Sequence, residues 1–519
     1  MISIPSFIST STAILRKPSR IAFHIPSSQS QSNLRNLSTM APHRYDVLFI
    51  GSGQSANPLA KAFAEAGQSV GMVERSSVGG TCVNVGCTPT KTMIASGRVA
   101  YLASRGAEYG VHGGAAGDVN VDMKKVRERK RSIVERWHSG SETMLKNAGV
   151  EVLFGQGSFA GEKEVLVKGE GGEERVVTAD KIFISSGERP ARPDIPGLNE
   201  VDPARVLDST SIMELDAVPK KLVALGGGYI GLEFGQLFRR FGAEVTVVQR
   251  AKQLVPREDE DVAECLLDIL KEDGLTLHLS STIESVAKSD SPDTPVTVNI
   301  KTSGGIKSVA ASHILLAAGR VPNTDMLNLK VAGVETTSRG HVAVNDRLET
   351  TAKDIFALGD VHGGPAFTHM SYDDFRIIRT NLLPSTLSAN TPRMPTTSSS
   401  SSRVLSPYVM FTDPQLAHVG LHARDLSSGS RKIKTATMPM SYVARAAETE
   451  ETRGLMKATV DAETGEILGF TCLGIEGGEV MAVVQMAMMG GLKWWDLHAA
   501  VLTHPSLSES LNNLWGHFA

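Results

Sequence analysis

Residues 45–56 read YDVLFIGSGQSA. An apolar strand over 45–50 runs straight into Gly51, Gly53 and Ala56. The pattern predicts a helix over about 57–67 and a second strand, SVGMVE, ending at Glu74. Strand, glycine turn, helix and strand make a βαβ unit with a dinucleotide fingerprint. Its glycines let the backbone approach a pyrophosphate at a helix N-terminus, where amide donors and the helix dipole attract anions. One such match is weak. A second begins at Lys221, KLVALGGGYIGLEFGQLFRRFGAEVTVVQR, with Gly226, Gly228 and Gly231 in the fingerprint positions. The chain therefore reads as α/β, with two Rossmann-like dinucleotide-binding domains. The mixed strand and helix pattern after Val404 adds a C-terminal α+β domain.

One position tells the two sites apart. Counting 21 residues from Gly53 reaches Glu74, and the same count from Gly228 reaches Gln249. An acid there accepts hydrogen bonds from ribose hydroxyls. Gln249 lacks that charge, and Arg250 and Lys252 follow it. A 2′-phosphate is repelled by an acid and attracted by these bases. The first site thus suits FAD and the second NADPH, with NADH possible and solvated surface charge the alternative reading of the two bases. Gly187 and Gly319 close the strand-ending segments IFISSG and ILLAAGR and join the expected cofactor-binding positions.

The chemistry is carried by GGTCVNVGCTPTK, residues 79–91. Cys82 and Cys87 are five apart, a spacing that does not face one way on a regular helix, since five residues turn about 500°. Joining the sulfurs needs a local distortion, and Gly86 and Pro89 offer the means. The chain has only four cysteines, the others being Cys265 and Cys472. That argues against a secreted disulfide framework and for a redox-active pair. A thiolate nucleophile needs a nearby base. His504, in the late HPSLSE segment, is the candidate, with Glu509 to fix its tautomer. The other histidines read as structural, the Met-rich helix near 478–491 as packing, and no metal ligand set is assigned.

Bulk numbers set limits. The 519 residues allow three or four domains. A formal net charge of −3 gives no electrostatic support for nucleic acid or an anionic membrane as partner. No uninterrupted apolar run reaches the roughly 18 residues of a membrane span. Residues 1–45 contain no Asp or Glu but carry Arg16, Lys17, Arg20, Arg35 and Arg44 among many serines. Residues 1–43 read as a transit peptide for the mitochondrial matrix, or else as a disordered leader of a cytoplasmic protein with Met40 as its start. Residues 384–403 are a low-complexity loop.

These motifs resemble the flavin-dependent pyridine nucleotide–disulfide oxidoreductases, a group that includes glutathione reductase, dihydrolipoamide dehydrogenase and mercuric reductase. GGTCVNVGCTPTK, GGGYIGLE, AAGRVPNT, ALGD and HPSLSE occur in the family's order, over about residues 44–519. FTHMSYDDFR and SYVARAAETEETRG look most like the mercuric-reductase-like branch. The resemblance implies an FAD domain over 44–190 and 319–383, an NAD(P) domain over 191–318, and a dimerisation domain over 404–519. It implies that Asp360 binds the flavin ribityl chain and that Lys91 sits near the flavin N5 and pairs with Glu233. Tyr229 resembles the aromatic that covers the nicotinamide pocket in glutathione reductase, and packing explains it equally well.

On this resemblance NADPH passes hydride to FAD, which reduces Cys82–Cys87. Cys87 remains as the flavin-side thiolate and Cys82 attacks the substrate. His504 reaches the disulfide of the partner subunit, so a homodimer is implied. The acceptor, a disulfide or another small molecule, is not specified. The chain departs from mercuric reductases: it ends LWGHFA without their C-terminal cysteine pair and keeps His504. TPTK and Gln249 differ from what NAD-dependent dihydrolipoamide dehydrogenases lead one to expect. That enzyme, a metal-ion or quinone reductase of the mercuric-reductase-like branch, and a flavoprotein scaffold without turnover are the alternative readings.

Overall fold

A computed structural model describes residues 43–112, 119–383, 405–426, 429 and 431–519. The readings of residues 1–43 and 384–403 lie outside the described residues, His43 apart.

The first fingerprint folds as its pattern predicts. Strand β1 (His43–Ile50) leads into helix α1 (Ala56–Glu65) and strand β2 (Val70–Glu74). The helix starts one residue before the predicted point, at Ala56, whose amide donates to the Gly53 carbonyl at 3.1 Å. Separate cores on the two faces of the sheet bury β1 and β2, which is why each reads as a continuous apolar run rather than an alternating one. The sheet also holds β3 (Glu151–Phe154), the antiparallel strands β4 (Gln156–Phe159) and β5 (Glu164–Lys168), and the long β6 (Glu174–Ile184).

The second fingerprint gives β7 (Lys221–Leu225), helix α2 (Tyr229–Arg240) and β8 (Glu244–Val248). These strands lie in a second, five-stranded parallel sheet. A three-stranded antiparallel sheet over 282–311 flanks it. The chain then returns to the first sheet through β9 (Ile355–Ala357), which pairs parallel with β6. Phe49 of β1, Phe183 of β6 and Phe356 of β9 stack face to face with centroids 4.9 Å apart at each step. Three fully or nearly fully buried rings from distant segments thus lock the returning strand to the first βαβ unit. Each contributes on the order of 2–3 kcal/mol of burial.

After residue 405 the chain builds a five-stranded antiparallel sheet that includes Tyr408–Met410, Gln415–Gly420 and Ile467–Gly474. The methionine-rich helix Gly477–Met489 packs on it, with Met481 buried and Met486 and Met489 exposed. Among the described residues, no helix is long and apolar enough to cross a membrane.

Candidate active site

Both fingerprints open onto one cavity of about 2090 Å³. Gly51, Gly53, Glu74, Cys82, Cys87, Lys91, Gly187, Gly228, Glu233, Gly319 and Asp360 all line it. Ala56, Gly226, Gly231 and Gln249 stand behind the lining as support, and Arg250 is exposed. His504 and Glu509 lie apart from it.

The fit for two dinucleotides rests on the glycine loops. Gly226 has a φ of +115°, and a Cβ there would sit 2.4 Å from the carbonyl oxygen of Ala317. No other residue tolerates both demands, so the loop stays flush with the sheet, where the Gly226 amide donates to the Val248 carbonyl at 2.9 Å. Glu74 Oε2 accepts from the Ser52 amide at 3.0 Å and the Ser52 hydroxyl at 2.6 Å, while Oε1 accepts from the Ser76 amide at 2.9 Å. The Ser76 hydroxyl adds a fourth, longer contact to Oε1 at 3.4 Å, so a ribose hydroxyl would take the place of this weakest contact. Gln249 makes the matching contact in the second unit. Its Oε1 accepts from the Gly227 amide at 3.3 Å, and its amide nitrogen donates to the Gln253 carbonyl at 3.2 Å. Lys252 forms an ion pair with Glu260 at 3.0 Å.

The cysteines stand where one helix gives way to the next. Gly80–Asn84 is a short helix that ends at Val85, and α3 (Cys87–Ser104) starts at the second cysteine. Gly86 makes the break, with φ −128° and ψ −115°. A Cβ at Gly86 would approach the Thr81 carbonyl oxygen to 2.8 Å. Pro89 does not take part. It is the third residue of α3, where a missing N–H costs nothing. Both cysteines are free thiols in this structure. Thr368 Oγ1 donates to Cys82 Sγ at 3.0 Å and lies 3.5 Å from Cys87 Sγ.

The two thiols are inequivalent. The hydrogen bond from Cys82 stabilises a Cys87 thiolate, with help from the Thr368 hydroxyl and the Lys91 charge, and pulls Cys87 down to about 5 against the opposing effect of burial. The same hydrogen bond, together with burial, pushes Cys82 up. Lys91, one turn into α3, donates to Glu233 Oε2 at 2.8 Å. Glu233 is buried on α2, and its other oxygen accepts from the Phe411 amide at 2.7 Å. One ion pair thus ties the cysteine helix to the second nucleotide-binding unit.

Asp360 sits in the turn after β9. Burial, then the nearby charge of Glu188, raises it to about 6. The turn is held by Asp374, whose Oδ2 accepts from the Gly359 amide at 2.7 Å and contacts His362 Nε2 at 3.0 Å. His504 Nδ1 lies 3.0 Å from both oxygens of Glu509. The imidazole is 72% exposed, whereas the carboxylate is 18% exposed.

Sequence reasoning missed Thr368, the Ser52 anchor on Glu74, and the Phe411 amide. It also missed a stack of rings that lines the cavity beside Tyr229. Tyr229, Phe367 and Tyr408 lie with centroids 5.7–6.1 Å apart. Only the FTHM segment carried any signal, as a branch-level likeness without a role.

Two anion cradles, an asymmetric thiol pair and a lysine between them define a dithiol oxidoreductase that handles two dinucleotides. The comparisons agree. Residues 45–374 match the family described as pyridine nucleotide-disulphide oxidoreductase, and residues 406–514 match its dimerisation domain. The chain is 32% identical over 477 residues to the probable pyridine nucleotide-disulfide oxidoreductase RclA of Escherichia coli, covering 91% of this chain and 99% of that one. It is 33% identical to a mercuric reductase of Bacillus cereus, covering 93% of this chain and 73% of the other. It is 30% identical to a dihydrolipoyl dehydrogenase of Geobacillus stearothermophilus, covering 89% and 94%. A solved structure described as a Cu(II) complex of the HOCl-induced flavoprotein disulfide reductase RclA superposes with a TM-score of 0.80 at 32% identity, over 91% of this chain and 99% of that one. The chain belongs to the pyridine nucleotide–disulfide oxidoreductases. It is an FAD- and pyridine nucleotide-dependent flavoprotein enzyme with a dimerisation domain.

Proposed function

We propose that this enzyme draws electrons from NADPH and delivers them through the Cys82–Cys87 pair to a small disulfide. The meeting of the thiol pair and both glycine loops on one cavity carries this reading. When bound, FAD supplies the electron relay between nicotinamide and sulfur. Gly51, Gly53, Glu74, Gly187, Gly319 and Asp360 would hold it, and Gly226, Gly228, Gly231 and Gln249 would hold the nicotinamide dinucleotide. Cys87, favoured as thiolate and exposed in the cavity, is the flavin-side group. Cys82, favoured as thiol, is the interchange group, and it needs a base to attack a disulfide.

His504 is that base, presented by the partner subunit and oriented by Glu509. Its exposure and its distance from the cavity in a single chain support a role across the dimer. Lys91 places a positive charge beside the thiolate, and Glu233 fixes its position. Arg250 and Lys252 are the attractions for a 2′-phosphate, since the exposed pair of Lys252 with Glu260 is weak enough to yield. We assign residues 44–190 and 319–383 to the FAD domain, 191–318 to the NAD(P) domain and 404–519 to the dimer contact. Residues 1–43 would direct the chain to the mitochondrial matrix, which imaging of a leader fusion would test.

The deciding experiment is an anaerobic titration of the purified protein with NADPH and, separately, NADH. A long-wavelength thiolate–flavin band, absent in Cys87→Ser and reached at far lower NADPH than NADH, is the expected result. Bleaching without that band would overturn the thiol relay, and equal response to both nucleotides would overturn the NADPH preference.

A further inference from the structure

A second polar cluster stands at the wall of the same cavity, which Glu258 and Tyr408 help to line, where the second nucleotide-binding unit meets the C-terminal sheet. Glu258, in the segment after β8, faces His418 on the strand Gln415–Gly420 and His422 just beyond it. One donor atom from each of the three lies within 4.8 Å of the others. Glu258 is completely buried and His418 is 2% exposed.

We infer that Glu258, His418 and His422 form a binding site for a divalent first-row transition ion of the zinc type. Two features point to a ligand rather than to packing. First, Glu258 Oε2 and His422 Nδ1 are both buried with no hydrogen-bond partner. A buried carboxylate oxygen left bare is costly, and a cation is the natural means of satisfying it. Second, the donor set is right: two imidazoles and one carboxylate are a known tridentate set for zinc, with a fourth position open.

The surroundings supply the supporting contacts. Tyr408 donates to Glu258 Oε1 at 2.5 Å, and its hydroxyl lies 3.2 Å from His422 Nε2. His418 places its two ring nitrogens 2.8 Å from the Thr471 hydroxyl and 3.1 Å from the Gly420 carbonyl. An ion replaces one of these contacts, and the other then fixes the ring. The imidazoles now stack with centroids 3.8 Å apart. Metal–donor bonds of about 2.0–2.2 Å require donors closer than they stand here, a contraction on the order of 1 Å met by side-chain rotation. Asp259, next in sequence, is taken by Lys457 at 2.9 Å and does not compete.

The test uses the full chain with Cys82→Ser and Cys87→Ser, so that the active-site thiols cannot bind metal. Co²⁺ alone is titrated, followed by visible absorption and by metal analysis after gel filtration. The expected result is one Co²⁺ per chain with d–d bands and no sulfur-to-cobalt band, displaced by Zn²⁺. Glu258→Gln and His422→Gln should each weaken binding about 10-fold or more. Because Glu258 is buried and its variant can misfold, His422→Gln, at the less buried position, is checked for unchanged flavin content and circular dichroism. Absence of stoichiometric Co²⁺, a sulfur-type spectrum, or affinity unchanged in a folded His422→Gln would overturn the site.

Discussion

Thr368 Oγ1 donates to Cys82 Sγ at 3.0 Å, although the two residues are 286 positions apart. The hydroxyl also lies within 3.5 Å of Cys87 Sγ. It begins a helix, Thr368–Leu382, whose positive end it shares with the thiol pair. Both effects favour thiolate over thiol at either sulfur, Cys87 included.

Thr368→Val should therefore raise the Cys87 pKa. A hydrogen bond to a charged group is worth about 1.5–3 kcal/mol, so the rise should be about one unit or more. Alkylation of the reduced protein by iodoacetamide as a function of pH reads it directly. Wild type should react with a midpoint near 5, since the thiolate is populated above that value. An unmoved midpoint in the variant would remove Thr368 from the account.

Cys82→Ser acts on the same thiolate from the other side. It replaces the strongest stabilising donor at Cys87 with a hydroxyl and abolishes disulfide turnover. Alkylation at Cys87 should persist, whereas Cys87→Ser should leave only a thiol that reacts at alkaline pH. Equal profiles for the two variants would contradict the asymmetry.

Asp360 makes a pH prediction with a definite sign. Its folded value is about 6, against an ordinary 3.8. A raised acid contributes stability that is full below the unfolded value and is lost as pH rises through the folded one. The flavin-free protein should lose up to about 3 kcal/mol from this group between pH 4 and pH 7, counted at about 1.4 kcal/mol per unit. Asp360→Asn should flatten that decline in urea unfolding while weakening flavin retention. A decline of the same size in the variant would assign it to other groups.

Lys91→Met leaves the buried Glu233 carboxylate without its cation. The lysine is partly exposed, at 31%, so solvent screens part of the loss. A destabilisation of about 1–3 kcal/mol is expected, and Glu233→Gln in the same background should recover part of it. No recovery in the double variant would mean that the two residues do not act as a pair.

His504 can be placed by mixing subunits. Cys82→Ser and His504→Gln homodimers should both be inactive. After exchange, a heterodimer keeps one site with both groups intact if they come from different chains. Statistical mixing then restores about one quarter of wild-type disulfide turnover. A mixture that stays inactive would place His504 and its cysteine in the same chain.

The parts of this molecule legible in its sequence are the local ones. Strand, turn and helix around Gly51 and Gly226 follow from apolar runs and backbone demands that lie within 30 residues of each other. Cys82 and Cys87 could be paired because a glycine between them supplies the break. Thr368, the Phe411 amide on Glu233 and the Phe49–Phe183–Phe356 ladder were not legible, because each joins segments more than a hundred residues apart with no periodic signal. Glu258, His418 and His422 were hidden for the same reason. Each is ordinary in its own neighbourhood, and only the meeting of two sheets puts them face to face.

The exposure of His504 has a consequence for how such a protein is made. A newly released subunit carries both nucleotide cradles and both cysteines, yet on the reading above it lacks an acid–base group at its own thiols. It could be charged but not discharged toward a disulfide. Assembly would then act as a licence for turnover: free chains, however well folded, would not drain cellular reductant until they find a mate.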